Sequence, residues 1–180
     1  MLKKIAVALL VLVAALVTLV ATRPAKFRVE RSLVIEESPR RLFDAVADFR
    51  RWENWSPWAK LDPAMKTTYT GAPGTVGSTY HWVGNDKVGE GRMTVTELHP
   101  PLQAKIKLEF LKPWKATNEC VFDFYVESGG TRVVWIMRGE HDFLGKAMSL
   151  FMDLDKAVGP DFERGLAQLK AAAEDGTLPR

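Results

Sequence analysis

Reactive and metal-binding side chains are scarce in this chain of 180 residues. A single cysteine, Cys120, cannot form an internal disulfide. The three histidines lie far apart, without the spacing that metal ligands usually show: His81, His99 and His141. A GxSxG elbow, an HExxH pair, a Walker loop and a dinucleotide fingerprint are all absent from the sequence. We therefore expect no disulfide scaffold, no metal site and no cofactor.

Most of the chain also lacks a basic excess. The formal net charge is +3, but the first 26 residues hold four of the 25 basic residues and none of the 22 acidic ones. The remainder therefore carries one more acidic than basic residue. Because binding to nucleic acid requires a basic surface, we expect no nucleic-acid partner. The length is that of one domain, without room for a second of similar size.

One long hydrophobic run lies near the N-terminus. Residues 5–21 are apolar except Thr18, and Thr22 closes a run of 18 residues before Arg23 and Pro24. At the rise of an α-helix this run spans about 27 Å, close to the roughly 30 Å of a bilayer's hydrocarbon core. We therefore predict one membrane-spanning helix over residues 5–22, within an N-terminal segment 1–26.

A cleaved secretory signal is the main alternative for this segment, because Lys3 and Lys4 precede the apolar run; a buried helix of a soluble core is a third interpretation. The run exceeds the usual signal core of about 7 to 15 residues, and the bulky Leu19 stands where cleavage after Ala21 would require a small residue. These features favour a retained anchor. Basic residues flank both ends of the run. Lys3, Lys4 and the α-amino group favour a cytoplasmic N-terminus, so we predict a domain on the extracytoplasmic (periplasmic) side of the cell membrane.

From residue 27 onward the pattern is that of an α+β domain. Apolar and polar residues alternate over 27–35 as in a half-buried strand, with Arg31 as the exception among the inward positions. Ser38 and Pro39 indicate the start of a short helix, and a brief strand is expected at 65–69. Five further strands are predicted at 78–84, 88–99, 102–110, 115–127 and 131–140. Their connections are too short for parallel crossovers, so we predict an antiparallel meander.

The last segment predicts a long amphipathic helix over the sheet. Apolar residues recur mostly three or four apart from Leu144 to Leu169, and Gly176 is a typical helix stop. Pro160 lacks a backbone donor, so we expect a kink or break near Gly159.

Short motifs along the chain are similar to those of a known superfamily. They are Arg31-Ser32, Pro39, Phe43, the segment WENWSPW at 52–58, Gly77, Trp82, Gly84-Asn85, GEGRM at 89–93, Trp135, Met137, Gly139, Asp161-Phe162-Glu163 and Gly165-Leu166. Together they resemble the helix-grip fold of the START-like or SRPBCC superfamily, in its polyketide cyclase/dehydrase and lipid-transport branch. The resemblance implies a curved antiparallel sheet around a long C-terminal helix, with a hydrophobic cavity between them that holds a lipid, sterol, polyketide or similar molecule. The resemblance covers residues 27 to about 174. We expect residues 27–176 to form the ligand-binding domain and 177–180 a frayed tail.

Candidate ligand-binding residues follow from strand parity and helix spacing within this fold. They are Trp55, Trp58, Tyr80, Trp82, Met93, Phe110, Phe122, Trp135, Met137, Met148, Phe151 and Phe162. A fully packed core would use the same residues, and the tryptophan segment is equally typical of a packing cluster. Gly89 and Gly91 share the inward parity of Met93, which predicts either relief of sheet curvature or open cavity volume.

Three functions follow from these expectations. We favour a membrane-anchored protein that binds a hydrophobic small molecule or lipid in the cavity. The alternative is an enzyme of polyketide cyclase or dehydratase type, for which His141 is the candidate acid or base at the junction of strand and helix. A protein-interaction module with a solid core is the third.

Overall fold

A computed structural model of the chain describes residues 1–178. The helices are α1 (Leu2–Ala21), α2 (Pro39–Ala47), α3 (Phe143–Met148) and α4 (Leu154–Glu174), with a 3-10 helix at Phe49–Asn54. The strands are β1 (Lys26–Ile35), β2 (Lys66–Thr70), β3 (Thr79–Val83), β4 (Glu90–His99), β5 (Gln103–Lys112), β6 (Ala116–Glu127) and β7 (Gly130–Glu140). The predicted strands and the first helix of the domain are thus confirmed to within a few residues.

The strands form one antiparallel sheet in the order β1-β7-β6-β5-β4-β3-β2. β2 to β7 follow one another as a meander, and β1 pairs with β7 at one edge. α2 contacts β5 and β6, while α4 packs along β1 and the 3-10 helix. Most buried residues of sheet and helices belong to one hydrophobic core, and Val121, Val134 and Ile136 form a second, smaller cluster. This arrangement confirms the predicted α+β helix-grip fold.

The helices that follow β1 begin at residues suited to capping. The Ser38 hydroxyl accepts a hydrogen bond from the Arg41 N–H at 3.4 Å, and Pro39 occupies the first helical position of α2. Asp48 caps the 3-10 helix in the same way, with its carboxylate accepting from the Arg50 N–H at 3.0 Å. These two short helices bring the tryptophan segment onto the sheet.

The C-terminal segment forms two helices instead of the single predicted one. After α3, residues 149–153 do not continue the helix, and the carboxylate of Asp153 caps α4 by accepting from two backbone N–H groups at 3.0 and 3.3 Å. Of the kink or break expected near Gly159, the break is wrong, because α4 continues through Pro160. Pro160 lies within the first two turns of α4, where its missing N–H removes one hydrogen bond and packing against β1 maintains the helix.

Arg31, the exception in the alternation of β1, joins the strand to α4. Its guanidinium donates to both carboxylate oxygens of Asp155 at 2.8 and 2.9 Å and to Glu163 at 2.6 Å. The two acidic residues lie two turns apart on one stripe of α4, with Gly159 between them, and a Cβ there would collide with the guanidinium. The absence of a side chain at Gly159 therefore leaves room for the Arg31 guanidinium. Hydrogen bonds from Arg31 lower the pKa of Asp155 and, in turn, the two carboxylates raise the pKa of Arg31.

Removal of this guanidinium should loosen the first half of α4. We expect Arg31→Met to increase amide hydrogen exchange over residues 154–163, because the methionine keeps the apolar stem and loses the three hydrogen bonds to α4. Hydrogen-exchange mass spectrometry measures this directly. Arg28→Met is the matched control, since Arg28 is an exposed residue of the same strand that pairs with Glu30. Equal exchange in both variants would show that Arg31 does not hold α4.

The N-terminal helix α1 is long and apolar enough to cross a bilayer once. Its most apolar window has a mean hydropathy of 2.7, and 6% of that window is buried in the protein. The buried residue is Val20, near the end of α1 that contacts α3. There the Nζ of Lys146 donates to the carbonyl oxygen of Ala21 at 3.3 Å. A signal sequence near the N-terminus can meet the same criteria of helix length and hydropathy, so the retained anchor stays a prediction.

Candidate functional site

The pairing register aligns inward-facing residues into rows that cross the sheet. One row takes a residue from every strand: Tyr69, Tyr80, Met93, Leu108, Asn118, Gly139 and Phe27, from β2 to β1. We call it the outer row. The next row toward the middle of the sheet is Val95, Ile106, Cys120, Met137 and Val29, from β4 to β1. We call it the inner row. The outer row lies nearer the end of the sheet where α1 joins the domain.

Packing loosens from the inner row to the outer row. Every residue of the inner row is at most 4% exposed, whereas Phe27, Tyr69, Tyr80 and Leu108 of the outer row are half-buried. The same change occurs along β5, where Ile106 is fully buried and the residues after it on the inner face are not. The core is therefore closed along the inner row and partly open to solvent at the end near α1, while Leu33 and Leu98 are half-buried toward the far end.

Aromatic rings fill the centre of the core, between the sheet, the 3-10 helix and α4. Trp135 stacks on Phe162 with ring centroids 4.2 Å apart and nearly parallel planes, and Trp58 meets both rings edge-on. Trp55 and Phe122 complete the cluster against Trp135. These rings leave little space beneath this part of α4, so the packing interpretation holds for the tryptophan segment.

Ten of the twelve predicted ligand-binding residues lie in this core. They are Trp55, Trp58, Tyr80, Trp82, Met93, Phe110, Phe122, Trp135, Met137 and Phe162. The expectation that Met148 and Phe151 face inward is wrong: their exposed fractions are 38% and 91%. The cause is the interruption at residues 149–153, which removes both side chains from the stripe of α4 that faces the sheet. A ligand-binding role for the other ten stays a prediction.

The polar groups of the outer row are neutral. Burial raises the pKa of Tyr80 to about 12 and also raises that of Tyr69, so both phenols keep their protons at neutral pH. Asn118 is 8% exposed, and within residues 1–178 its amide has one weak partner, the sulfur of Met137 at 3.9 Å. Its side chain lies opposite Gly139, where an added Cβ would collide with the amide oxygen. The row therefore offers hydrogen bonds without charge, on an otherwise apolar surface.

Sequence patterns alone do not identify this row. Strand parity places Leu108, Asn118 and Phe27 on the inner face, but the four strands β5, β6, β7 and β1 must be paired in a known register before these residues align in one row. The low hydrophobicity of Asn118 at a buried position was the available signal, because an amide in a core usually has a specific partner.

The single cysteine, Cys120, and the candidate acid or base, His141, lie at different depths. Burial raises the pKa of the Cys120 thiol to about 12, and a contact with the Trp135 indole lowers it only in part, so the thiol stays protonated. His141 follows β7 and is half-buried, with its ring 4.8 Å from that of Phe27 at the edge of the outer row. In residues 1–178, acidic, histidine and cysteine side chains do not gather in a group suited to a metal ion.

Of two depressions on the surface, one is separate from the outer row and the other meets it only at Tyr69. One, of about 200 Å³, is lined by Glu53, Asn54, Ser56, Lys60, Gln168, Ala171, Ala172, Asp175 and Thr177, beside the second half of α4. The other holds about 10 Å³ and borders the turn between β2 and β3. Neither is lined by Met93, Leu108 or Asn118. The first is polar and shallow, unlike the apolar clefts that usually hold hydrophobic ligands.

A family profile described as "Polyketide cyclase / dehydrase and lipid transport" matches residues 26–174. The chain belongs to this family. The match covers all seven strands and both C-terminal helices, and it confirms the predicted SRPBCC/START-like superfamily. Among curated protein sequences, none matches this chain.

Solved structures share the fold at low sequence identity. A protein of unknown function from Staphylococcus aureus is 15% identical, with 87% of this chain and 98% of that one covered at a TM-score of 0.62. The Aha1 dimer from Colwellia psychrerythraea is 20% identical, with 83% and 98% covered at a TM-score of 0.60. DynU16, a protein of the dynemicin biosynthetic locus, is 15% identical, with 83% and 48% covered at a TM-score of 0.55. These similarities establish the fold of the family member and not its ligand.

Proposed function

We propose that this protein is a membrane-anchored binding protein for a hydrophobic small molecule or lipid, which it holds along the outer row. The observation that carries the proposal is the gradient of burial from inner to outer row. Here the apolar surface is partly open at one end, where a ligand can replace solvent against Leu108, Phe27 and Tyr80.

The chemistry of the row defines the class of ligand. Phe27, Met93 and Leu108 provide apolar contact, while Asn118 and Tyr80 provide neutral hydrogen-bonding groups. A charged head group placed against this row would lose hydration without gaining an opposite charge. The row therefore favours a molecule with a mostly apolar body and an uncharged polar group, such as a neutral lipid, sterol or polyketide.

A photo-crosslinking experiment tests this proposal. The full chain is incorporated into phosphatidylcholine vesicles with a diazirine-labelled monoacylglycerol, irradiated and digested, and the modified peptides are identified by mass spectrometry. We expect saturable labelling of the peptides that contain Leu108, Asn118 or Phe27. Labelling that does not saturate, or that avoids these peptides, would contradict the proposal.

A matched pair of variants gives the binding effect. We expect Leu108→Gln to weaken probe binding about tenfold, because a polar group then faces the apolar body of the ligand; this corresponds to about 1.4 kcal/mol. Val126→Gln is the control, since Val126 is 74% exposed near the opposite end of the sheet. Circular dichroism confirms that both variants fold. Equal binding by the two variants would exclude the outer row as the site.

The contact between His141 and Phe27 is the observation that favours an enzyme of cyclase or dehydratase type as the second candidate. An acid or base at the edge of the row can exchange a proton with a bound molecule. Under the binding proposal, His141→Ala leaves probe affinity nearly unchanged. Loss of turnover of a polyketide substrate in this variant, with unchanged affinity, would support the enzyme.

A further inference from the structure

Two loop regions lie at the same end of the sheet as α1: the β5–β6 turn, and the segment 143–152, which includes the short helix α3. β1 begins at Lys26, directly after α1, and Lys26 pairs with Glu140 at the end of β7. α3 therefore starts beside the end of α1. β6 begins at Ala116, and its third residue, Asn118, pairs with Gly139 near the end of β7. The turn between β5 and β6 therefore also lies at this end of the sheet. The antiparallel register thus brings the turn at residues 113–115 and the segment 143–152 to the end from which α1 leaves the domain.

Both loops expose large apolar side chains. Trp114, at the tip of the β5–β6 turn, is 64% exposed, and Phe151, after α3, is 91% exposed. The other exposed apolar residues of the second loop are Phe143, Leu144, Met148 and Met152. Water contact at these side chains is costly, and in contiguous groups they mark interaction surfaces.

We propose that these loops form a bilayer-contacting surface, consisting of Trp114 and residues 143–152, that rests on the membrane in which α1 is inserted. The inference rests on the anchor in the proposed function. The occupant follows from continuity with α1, because Lys146 of α3 contacts Ala21 in the last turn of the apolar helix. A surface joined so closely to a membrane-spanning helix lies at the level where that helix leaves the hydrocarbon.

The composition of this surface suits the zone of lipid head groups. Tryptophan is enriched at membrane interfaces, where its ring contacts acyl chains and its N–H remains near water. Lys112 and Lys115 flank the exposed Trp114, and Lys146 lies within α3. Lysine beside apolar side chains places its stem along the apolar surface and its charge among phosphates. This mixture of tryptophan, lysine and apolar side chains therefore fits contact with a lipid interface better than contact with a purely apolar groove of a partner protein.

Single-cysteine labelling at defined positions tests the proposal in the full chain. The native Cys120 is 3% exposed and stays protonated, so a thiol-directed fluorophore will label an introduced cysteine selectively. Four variants are prepared: Trp114→Cys, Phe151→Cys, Leu102→Cys and Leu12→Cys. Each carries the fluorophore NBD and is reconstituted into vesicles of phosphatidylcholine and phosphatidylglycerol at 7:3. Quenching by nitroxide-labelled lipid and by aqueous iodide is then compared.

We expect the probes at positions 114 and 151 to be quenched severalfold more by shallow nitroxide lipid than the probe at position 102. Leu102 is the control for exposure, since it is 60% exposed on the turn between β4 and β5, at the other end of β5. β5 has ten residues, so its two ends are about 30 Å apart at the rise of a strand. The probe at 102 should instead be accessible to iodide. The probe at 12 should respond to deep nitroxide lipid, which reports insertion of α1 separately.

The results distinguish the two proposals. If position 12 is quenched by deep nitroxide and positions 114 and 151 behave like position 102, the anchor stands and the bilayer-contacting surface is excluded. If position 12 is not quenched, the anchor fails and the surface fails with it. Quenching of positions 12, 114 and 151 together supports both.

Discussion

Trp135→Ala should lower the free energy of unfolding by about 3 to 5 kcal/mol. The Trp135 side chain is 1% exposed and stacks on Phe162, so its loss removes apolar contact and leaves a cavity at the junction of sheet and α4. The close approach of α4 at Gly165, where a Cβ would lie 2.7 Å from the indole, limits how far the helix can move to fill that cavity. Guanidinium unfolding of the full chain in detergent, followed by circular dichroism, measures the change.

Trp114→Ala is the control for this substitution. It removes the same side chain from a position that is 64% exposed, and we expect a change within about 0.5 kcal/mol. A loss below about 1 kcal/mol at Trp135 would contradict the assignment of this residue to the closed centre of the core. It would also indicate that α4 collapses readily onto the sheet.

Gly91→Val should lower the free energy of unfolding by about 2 to 3 kcal/mol through overpacking. Gly91 lies between Trp82 and Phe110 in the row beyond the outer row. A Cβ at Gly91 would collide with the Trp82 indole and would lie 2.7 Å from the backbone oxygen of Glu109. The ring can turn away only by losing the hydrogen bond that its N–H donates to the Val88 carbonyl at 3.0 Å. Chemical unfolding again measures the effect.

A double variant separates collision with the ring from collision with the backbone. If the indole is the main obstacle, Trp82→Ala combined with Gly91→Val will be more stable than the sum of the single losses predicts. Additive losses would show instead that the backbone of β5 limits the space at Gly91.

Gly91 also shows where sequence reasoning reached its limit. Its inward parity was correct, and the two explanations considered were sheet curvature and open volume. The structure gives a third, because the missing side chain is replaced by the indole of Trp82 from the neighbouring strand. Such an exchange of volume depends on which residues face each other across two strands, and a local pattern does not contain that information.

The strands and the inner face could be predicted because alternation is a local property of each strand. Ala104, Ile106 and Leu108 alternate with charged residues, and in the structure Ala104 and Ile106 are fully buried and Leu108 is half-buried on the face that packs against the core. Helix ends were harder to predict. Apolar spacing continues from α3 into α4 and predicts one helix with Met148 and Phe151 in the core, whereas Asp153 caps a separate helix. An aspartate is a frequent N-cap, but an uninterrupted apolar stripe on both sides of it predicts a continuous helix.

Arg31 illustrates a different limit. Its parity indicated an inward charged residue, which requires a partner, but the partners lie more than 120 residues away on α4. Only the approach of the helix at Gly159 brings the two carboxylates to the guanidinium. A long-range pair of this kind becomes predictable once the crossing point of helix and strand is known.

The short connection between α1 and β1 restricts where the domain can work. Residues 22–25 are the entire linker, and four residues extend at most about 14 Å. With α1 in a bilayer, the domain cannot travel to a second membrane or turn its outer row away from the first. Any molecule bound there would be taken from, or returned to, the lipid leaflet beneath it, and delivery elsewhere would require another protein to dock on the domain. The protein would thus bind its ligand at one membrane and would not carry it between membranes.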